Sequence, residues 1–230
     1  MKPMLPQGVS TWVFDLDNTL YPAECDLFAQ IDVAMTRYVS QLLGVERDEA
    51  LAVQKRYYLE HGTTLAGLMA RHSADPHHFL EVVHDIDYSP VAPDPELAGL
   101  IAALPGRKLV FTNGSRGHAA RVVARLGLEG LFQDLFAIED CAFAPKPTPE
   151  SFARLLARHG FAPETGALFD DLPRNVAAAK ALGFTTILVR SEKDWSHEPE
   201  GARPAGPGTV SDGADQVADG LKSILRLWSA

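Results

Sequence analysis

The chain has 230 residues, 46% of them hydrophobic, with a formal net charge of −9 and a pI near 5.3. This length and composition allow a sizeable buried core and fit one domain with a smaller domain inserted into it. The acidic balance disfavours polymeric nucleic acid as a partner, because nucleic-acid phosphates need a basic surface.

The first predicted strand is a short apolar run that ends in two carboxylates. Val13 and Phe14 precede Asp15 and Asp17, which then lie at the start of the following turn. Two carboxylates placed in this way can take different roles, one attacking an electrophile and the other handling a proton. The pattern indicates phosphoryl transfer, with Asp15 as the nucleophile and Asp17 as the acid/base. The alternative is a surface turn with local side-chain hydrogen bonds.

A helical region follows this strand. Apolar residues recur at helical spacing, and Gly44 stops the first helix. The predicted helices cover residues 25–44, 46–60, 63–72 and 75–84.

No strand pattern interrupts these helices, so we predict an all-helical inserted cap domain over residues 22–90. A proline-rich stretch, residues 89–95, then forms a stiff hinge. The α/β core domain comprises residues 1–21 and 91–230.

Beyond the hinge, strands and helices alternate. The predicted strands cover residues 108–112, 136–138, 167–169 and 185–189. The predicted helices cover residues 96–104, 115–126, 148–159 and 173–182. Nearly continuous apolar strands in such alternation indicate a doubly wound, mostly parallel Rossmann-like sheet, which places ligands at the carboxyl ends of its strands.

Three further groups of polar residues follow predicted strands. Thr112 and Asn113 offer hydroxyl, amide and N–H donors to a phosphate, although an Asn-Gly turn before a helix is common. Lys146 lies between two prolines, which restrict where its ammonium can go; a solvated loop lysine is the alternative. Asp170 and Asp171 are adjacent acids without a nearby cation in sequence, and this arrangement invites a metal.

Together these motifs resemble those of the haloacid-dehalogenase-like phosphohydrolases, and the resemblance covers nearly the whole chain. The finer segments at residues 57–68 and 169–175 are similar to the branch described as pyrimidine 5′-nucleotidases. The resemblance implies Mg²⁺ held by a carboxylate oxygen of Asp15, the backbone carbonyl of Asp17 and the carboxylate of Asp171. Asp170 is then expected to act through a water.

The expected reaction is hydrolysis of a small phosphorylated metabolite. Asp15 attacks phosphorus and forms an aspartyl-phosphate, while protonated Asp17 donates to the leaving alkoxide and then activates water. Lys146 adds positive charge, and Thr112 and Asn113 hold the phosphoryl oxygens. The metal and the lysine can reverse the acidic field locally.

The preferred substrate is a nucleoside 5′-monophosphate, and several alternatives stay open. They are a phosphatase of a sugar phosphate or phosphoglycolate, a phosphomutase and a catalytically silent binding protein. A dehalogenase has no use for the extra acid at Asp17.

Substrate choice is expected to lie in the inserted helices. The turn that contains His61, Thr63 and Thr64 can hydrogen-bond a base or sugar, and Tyr21, with Tyr57 or Tyr58, can stack on a planar ring. The alternative is that Thr63 caps the next helix and the tyrosines are packed in the core.

The other histidines, the cysteines and residues 194–214 are expected to have structural and not catalytic roles. The histidines at positions 72, 77, 78 and 84 show no metal spacing and are expected to be exposed or packed. Residues 194–214 are expected to form a solvated loop, with Trp195 as its only hint of a contact. Cys25 and Cys141 indicate neither a disulfide framework nor a zinc cluster. Without a run of about 18 apolar residues, we expect a cytoplasmic monomer or homodimer that does not contact membrane.

Overall fold

The computed structural model describes residues 5–229 of the chain. Across this range six parallel strands form one sheet in the order β3-β2-β1-β4-β5-β6. The strands are β1 Thr11–Phe14, β2 Arg107–Phe111, β3 Asp134–Phe136, β4 Gly166–Asp170, β5 Thr185–Arg190 and β6 Gln216–Asp219. The predicted parallel, doubly wound α/β fold is confirmed.

Four helices lie between β1 and the rest of the sheet, where the sequence predicts them. They are α1 Leu27–Leu43, α2 Arg47–His61, α3 Thr64–His72 and α4 Pro76–Val83. Helix α1 begins later than predicted, because Asp26 takes a left-handed backbone conformation after the short 3-10 turn Ala23–Cys25. Gly44 ends α1 at φ 66°, as predicted. The division into a cap of residues 22–90 and a core stays a prediction.

Five more helices accompany the later strands. They are α5 Pro95–Ala103, α6 Arg116–Leu126, α7 Pro149–His159, α8 Pro173–Leu182 and α9 Leu221–Ser229. Ser115 and Thr148 each accept a backbone N–H at the start of α6 and α7, so local capping fixes where both helices begin. None of the helices in the described range combines the length and apolarity needed to cross a bilayer.

Alternating side chains of β1 enter the two halves of the core. Trp12 and Phe14 pack on one face of the sheet with residues of α5, α6 and α9. Val13 packs on the other face, with residues of α7, α8 and the four helices between β1 and α5. A central strand that is buried on both faces is typical of a parallel sheet.

The predicted elements differ from the structure at one strand and omit two elements. The strand predicted at residues 136–138 ends at Phe136, because the next N–H groups leave the ladder: that of Ala137 donates to Asp140 and that of Ile138 to the Gly114 carbonyl. Strand β6 and helix α9 were not predicted, since β6 is a short edge strand without a continuous apolar run.

Candidate active site

The sheet brings the predicted site residues to one edge. Asp15 and Asp17 follow β1, Thr112 and Asn113 follow β2, and Asp170 ends β4. The residues that line one shared cavity include Asp15, Asp17, Thr112, Asn113, Lys146 and Asp171. Side chains more than 150 positions apart therefore meet, because parallel strands end at the same edge.

Lys146 bridges two of the carboxylates. Its side chain is 1% exposed, and its Nζ lies 2.7 Å from Oδ1 of Asp15 and 2.7 Å from Oδ2 of Asp170. Burial alone would lower the pKa of Lys146, but the charges of Asp15 and Asp170 outweigh burial and hold that pKa above its usual value. Lys146 therefore stays a cation inside the site.

The side chain of Asn113 fixes the backbone of this lysine. Its Oδ1 accepts the Lys146 N–H at 2.8 Å, and its Nδ2 donates to the Lys146 carbonyl at 3.1 Å. The amide of Asn113 is therefore engaged in positioning Lys146. A phosphoryl oxygen would have to use the backbone N–H of Asn113 instead.

Three buried aspartates form a cluster. Asp15, Asp170 and Asp171 each place a carboxylate oxygen within 4.8 Å of the others. Burial, with the charges of Asp170 and Asp17, raises the pKa of Asp15 to about 7 despite Lys146. Burial and the charges of Asp15 and Asp170 also raise the pKa of Asp171 well above its ordinary value. Three carboxylates facing one ammonium leave excess negative charge, which a divalent cation would balance.

The two adjacent acids have different surroundings. Asp170 accepts hydrogen bonds from Lys146, from the Leu172 N–H and from the Asn175 amide. The carboxylate of Asp171 accepts only a long bond from Asn18, at 3.4 Å, among the described residues. The carboxylate of Asp171 is therefore the one with fewer hydrogen-bond donors.

Asp17 is held by two donors. Its Oδ1 accepts from the Tyr21 hydroxyl at 2.5 Å and from His118 Nε2 at 2.8 Å. Burial acts to raise the pKa of Asp17, but the charge of His118 and the hydrogen bonds from His118 and Tyr21 outweigh burial and lower it. The resting form of Asp17 is therefore a carboxylate.

Tyr21 does not stand where a substrate ring could stack on it. Its side chain is 1% exposed and its hydroxyl is directed at Asp17. The sequence prediction of a stacking role is corrected on this point. The ring packs in the core with residues of the same face of the sheet as Trp12 and Phe14.

His118 was missed by the sequence interpretation, and His84 was interpreted only as a packed or exposed residue. His118 is fully buried on α6 and lies beside Asp17, which is 101 positions away. His84 is also buried; it stacks on His118 with ring centroids 4.5 Å apart, and its Nδ1 lies 3.0 Å from the Ser115 hydroxyl. Such long-range pairings leave no periodic signal in a sequence.

Thr112 lies at the end of β2 with its hydroxyl on the site. Its Oγ1 accepts the Gly114 N–H at 2.8 Å. A Cβ atom at Gly114 would lie 3.0 Å from the His118 ring and 3.2 Å from Thr112 Oγ1. The absence of a side chain at Gly114 thus lets Thr112, His118 and Asp17 approach one another.

The turn after α2 enters the cavity only in part. Thr63 and Thr64 line the cavity, whereas His61 is not among the lining residues. Thr63 also caps α3, since its side chain accepts the Ala66 N–H, and Thr64 Oγ1 donates to the Gln54 carbonyl. The capping alternative for Thr63 is therefore correct, and Thr63 lines the cavity as well.

The two neighbouring tyrosines differ. Tyr57 is buried, with its hydroxyl 2.7 Å from His72 Nε2. Tyr58 lines the cavity, and the Arg174 guanidinium lies 4.3 Å from its ring centroid. Arg174 also donates to the Gly62 carbonyl, so it fixes this turn.

The first part of the segment after β5, residues 195–204, is a wall of the cavity and not part of the solvated loop that the sequence predicts over residues 194–214. Trp195, Ala202 and Pro204 line the cavity, and Trp195 is only 8% exposed. Glu198 pairs with Lys55 of α2 at 2.8 Å. Burial of the indole and this ion pair hold the segment against the inserted helices.

The sheet topology and the acidic edge define a class of α/β enzyme in which an aspartate after the first strand shares a site with a lysine and a second aspartate pair. The chain belongs to the haloacid dehalogenase-like hydrolases, whose family model matches residues 9–183. The predicted membership of this family is confirmed.

Among curated proteins, the chain is similar to Phosphate metabolism protein 8 of Saccharomyces cerevisiae. The two are 29% identical over 220 residues, which cover 86% of this chain and 67% of the yeast protein.

Solved structures share the fold. L-2-haloacid dehalogenase from Xanthobacter autotrophicus matches with a TM-score of 0.59 and 21% identity, over 95% of this chain and 98% of the other. The HAD phosphatase from Thermococcus onnurineus matches with a TM-score of 0.56 and 19% identity, over 95% of this chain and 97% of the other. The putative HAD-hydrolase YfnB from Bacillus subtilis, bound to magnesium, matches with a TM-score of 0.58 and 16% identity. The match covers 96% of this chain and 99% of the other.

Proposed function

We propose that this hydrolase is a magnesium-dependent phosphomonoesterase that acts through an aspartyl-phosphate on a small nucleoside 5′-monophosphate. The observation that carries the proposal is the Asp15 carboxylate, held by Lys146 within a buried group of three aspartates and two residues before Asp17. A dehalogenase, a chemistry named for several solved structures of this fold, has no use for an acid at Asp17.

The donor set fits magnesium. All three clustered residues offer hard carboxylate oxygens, and no His or Cys joins them among residues 5–229. Carboxylate oxygens of Asp15 and Asp171 and the backbone carbonyl of Asp17 would hold the ion. When bound, the ion supplies positive charge that offsets repulsion between Asp15 and a dianionic phosphate.

Asp15, Asp17, Lys146, Thr112 and Asn113 carry out the proposed phosphate-ester hydrolysis. A carboxylate oxygen of Asp15 attacks phosphorus, and the bond to the leaving oxygen breaks. Lys146 holds Oδ1 of Asp15, while the Thr112 hydroxyl and the Asn113 N–H offer donors to the phosphoryl oxygens. Asp17 gives a proton to the leaving oxygen and later takes one from the water that hydrolyses the aspartyl-phosphate. Because an incoming dianion raises the pKa of nearby carboxyls, Asp17 can take up its proton as the substrate binds.

The far side of the cavity favours a neutral leaving group. Its lining is mostly apolar, with Phe28, Ile31 and Phe79 among its residues, and Tyr58 and Trp195 add aromatic surface. Lys55, the cation in this part of the lining, already pairs with Asp32 and Glu198. A leaving group with its own carboxylate or second phosphate would meet two acids there, which argues for a nucleoside over glycolate.

Two further points support the proposal, the first for a nucleotide substrate and the second for phosphate chemistry alone. The resemblance of residues 57–68 and 169–175 to pyrimidine 5′-nucleotidases favours pyrimidine bases over purines. The similar yeast protein is named for phosphate metabolism.

The decisive experiment measures phosphate release from p-nitrophenyl phosphate, and chloride release from 2-chloropropionate, with Mg²⁺ and with a chelator. We expect phosphate release that requires Mg²⁺ and no chloride release in either condition. Chloride release without metal would overturn the proposal. Asp15→Asn serves as the inactive control for contaminating phosphatases.

A further inference from the structure

The proposed acid/base Asp17 accepts hydrogen bonds at one carboxylate oxygen, Oδ1, and at no other side-chain atom within residues 5–229. Tyr21 and His118 both donate to Oδ1, at 2.5 and 2.8 Å. Within residues 5–229 no hydrogen bond reaches Oδ2 of Asp17, and an ideal Cβ at Gly114, which lines the cavity, would lie 3.6 Å from this oxygen. The two donors thus leave Oδ2 as the Asp17 oxygen that is not already occupied by a donor from residues 5–229.

His118 itself has little freedom to move. Its ring is fully buried on α6, and a carboxylate only accepts hydrogen bonds, so Nε2 must carry the proton directed at Asp17. On the other side of the ring, Nδ1 lies 3.0 Å from the Tyr88 hydroxyl. The face of the ring stacks on His84 at an interplanar angle of 13°.

The groups that clamp His118 come from the chain that leads back from the inserted helices. His84 follows α4, and Tyr88 lies just before the proline-rich stretch that reaches α5. The Tyr88 hydroxyl also donates to the His84 carbonyl, at 3.1 Å, and joins the two. The returning connection therefore contacts the imidazole that contacts the acid/base.

We propose that His118 is a positioning residue for Asp17, clamped by His84 and Tyr88, which holds Oδ1 so that Oδ2 exchanges the proton with the leaving oxygen. This inference rests on the proposed phosphatase function. It makes the orientation of the acid/base depend on the connection between the inserted helices and the sheet.

The test compares two esters on the parent enzyme, on His118→Leu and on His118→Gln. Hydrolysis of a nucleoside 5′-monophosphate needs a proton on its alkoxide, whereas p-nitrophenolate leaves almost unaided. We expect His118→Leu to lower kcat/KM for the nucleotide by roughly tenfold or more, and for p-nitrophenyl phosphate by less than about threefold, because kcat/KM reports formation of the aspartyl-phosphate and not the later water step that both esters share. The Gln amide can donate from about the position of Nε2, so His118→Gln should restore much of the loss.

A double-mutant cycle shows whether His118 acts through Asp17. In an Asp17→Asn background, His118→Leu should change the remaining rate by less than about twofold, because the group it positions is gone. His159→Leu is the matched control: His159 is largely buried and lies 3.4 Å from the Asp134 carboxylate, far from the site in the fold. This control should keep the parent's ratio of the two rates.

Each outcome decides a separate point. If His118→Leu lowers kcat/KM equally for both esters, or lowers the rate as much in the Asp17→Asn background as in the parent, the positioning role is overturned. The phosphatase function stands in either case. A parent enzyme that hydrolyses neither ester would overturn the function and the inference with it. If His118→Leu does not fold by circular dichroism, Tyr88→Phe, which removes only the hydroxyl beside Nδ1, must show the same selective loss, and a uniform loss rejects the role.

Discussion

Lys55 of α2 and Glu198 of the segment after β5 form an ion pair in the lining of the cavity, with Nζ 2.8 Å from Oε1. Both side chains are largely buried, at 24% and 14% exposed, and Lys55 also contacts Asp32. The pair joins the inserted helices to a segment that starts after the fifth strand. It therefore fastens the wall that carries Trp195 and Ala202 over the cavity.

Breaking this pair should affect substrate binding more than chemistry. We expect Glu198→Gln to raise KM for a nucleotide severalfold with a smaller change in kcat, because the wall touches the leaving group and not the phosphorus. The free energy of unfolding should fall by less than about 1 kcal/mol, since the pair is partly hydrated. Steady-state kinetics and urea unfolding measure both quantities. Glu200→Gln, at an exposed position two residues on, is the control, and a selective loss of kcat would contradict this expectation.

Replacing the nucleophile should abolish turnover without unfolding the protein. Asp15→Asn is nearly isosteric, its amide oxygen can still accept from Lys146, and it relieves repulsion in the carboxylate cluster. We expect kcat to fall by roughly 10⁴-fold or more, with a melting temperature at least equal to that of the metal-free parent. Asp212→Asn at an exposed position controls for surface charge. Full activity, once deamidation has been excluded by mass spectrometry, rejects the covalent mechanism.

Magnesium should stabilise the fold by mass action. A ligand at a hundredfold excess over its Kd adds about 2.7 kcal/mol to the free energy of unfolding. Chelation should abolish activity and remove this increment. Asp171→Asn should lose most of the Mg²⁺-dependent rise in melting temperature, whereas Asp219→Asn, on the edge strand β6, should keep it. An equal rise in both variants would mean that Asp171 does not bind the ion.

The edge of the sheet that carries Asp15, Thr112 and Asp170 could be predicted from the sequence, because each of these residues directly follows or ends a short apolar run. Apolar strands that end in Asp15, Thr112 and Asp170 are visible without a structure, and parallel topology brings their ends together. Helix α9 also carries a local signal, since Leu221, Ile224 and Leu225 recur at helical spacing and are buried.

The contacts of His118 and of Glu198 could not be predicted, because they join residues that are far apart in the sequence and produce no local pattern. The partner of His118 is 101 positions away, and the partner of Glu198 is 143 positions away. The segment that contains Glu198 is rich in proline and glycine, a composition that also suits exposed loops. The burial of Trp195 and Ala202 and the ion pair of Glu198 with Lys55 distinguish it from a solvated loop, and these are visible only in the structure.

His84 should make the protein less stable in mild acid. Burial, then the charge of His118, lowers the pKa of His84 from 6.5 to about 3, with Arg121 acting in the same direction and Asp17 opposing. Between these two values the unfolded state binds a proton that the folded state does not, so stability falls as pH falls through this window. Each pH unit costs up to about 1.4 kcal/mol.

The variant His84→Gln removes this proton linkage. We expect the free energy of unfolding to fall less between pH 6.5 and pH 4.5 in His84→Gln than in the parent, measured by urea titration in a chelator. His77→Gln, at the exposed start of α4, should follow the parent's slope. Identical slopes in parent and His84→Gln would show that His84 is protonated in the folded state.

Substrate selectivity should follow the lining of the cavity. Because the apolar side and the paired Lys55 favour a neutral leaving group, we expect uridine and cytidine monophosphates to have a higher kcat/KM than phosphoglycolate or a sugar bisphosphate. Thr64 lines the cavity and His61 does not. Thr64→Val should therefore shift the ratio of kcat/KM between pyrimidine and purine nucleotides severalfold, and His61→Ala should shift it less. Thr165→Val, at the opposite end of β4, is the matched control. Relative kcat/KM values that are unchanged across the panel in both turn variants would show that the turn does not read the base.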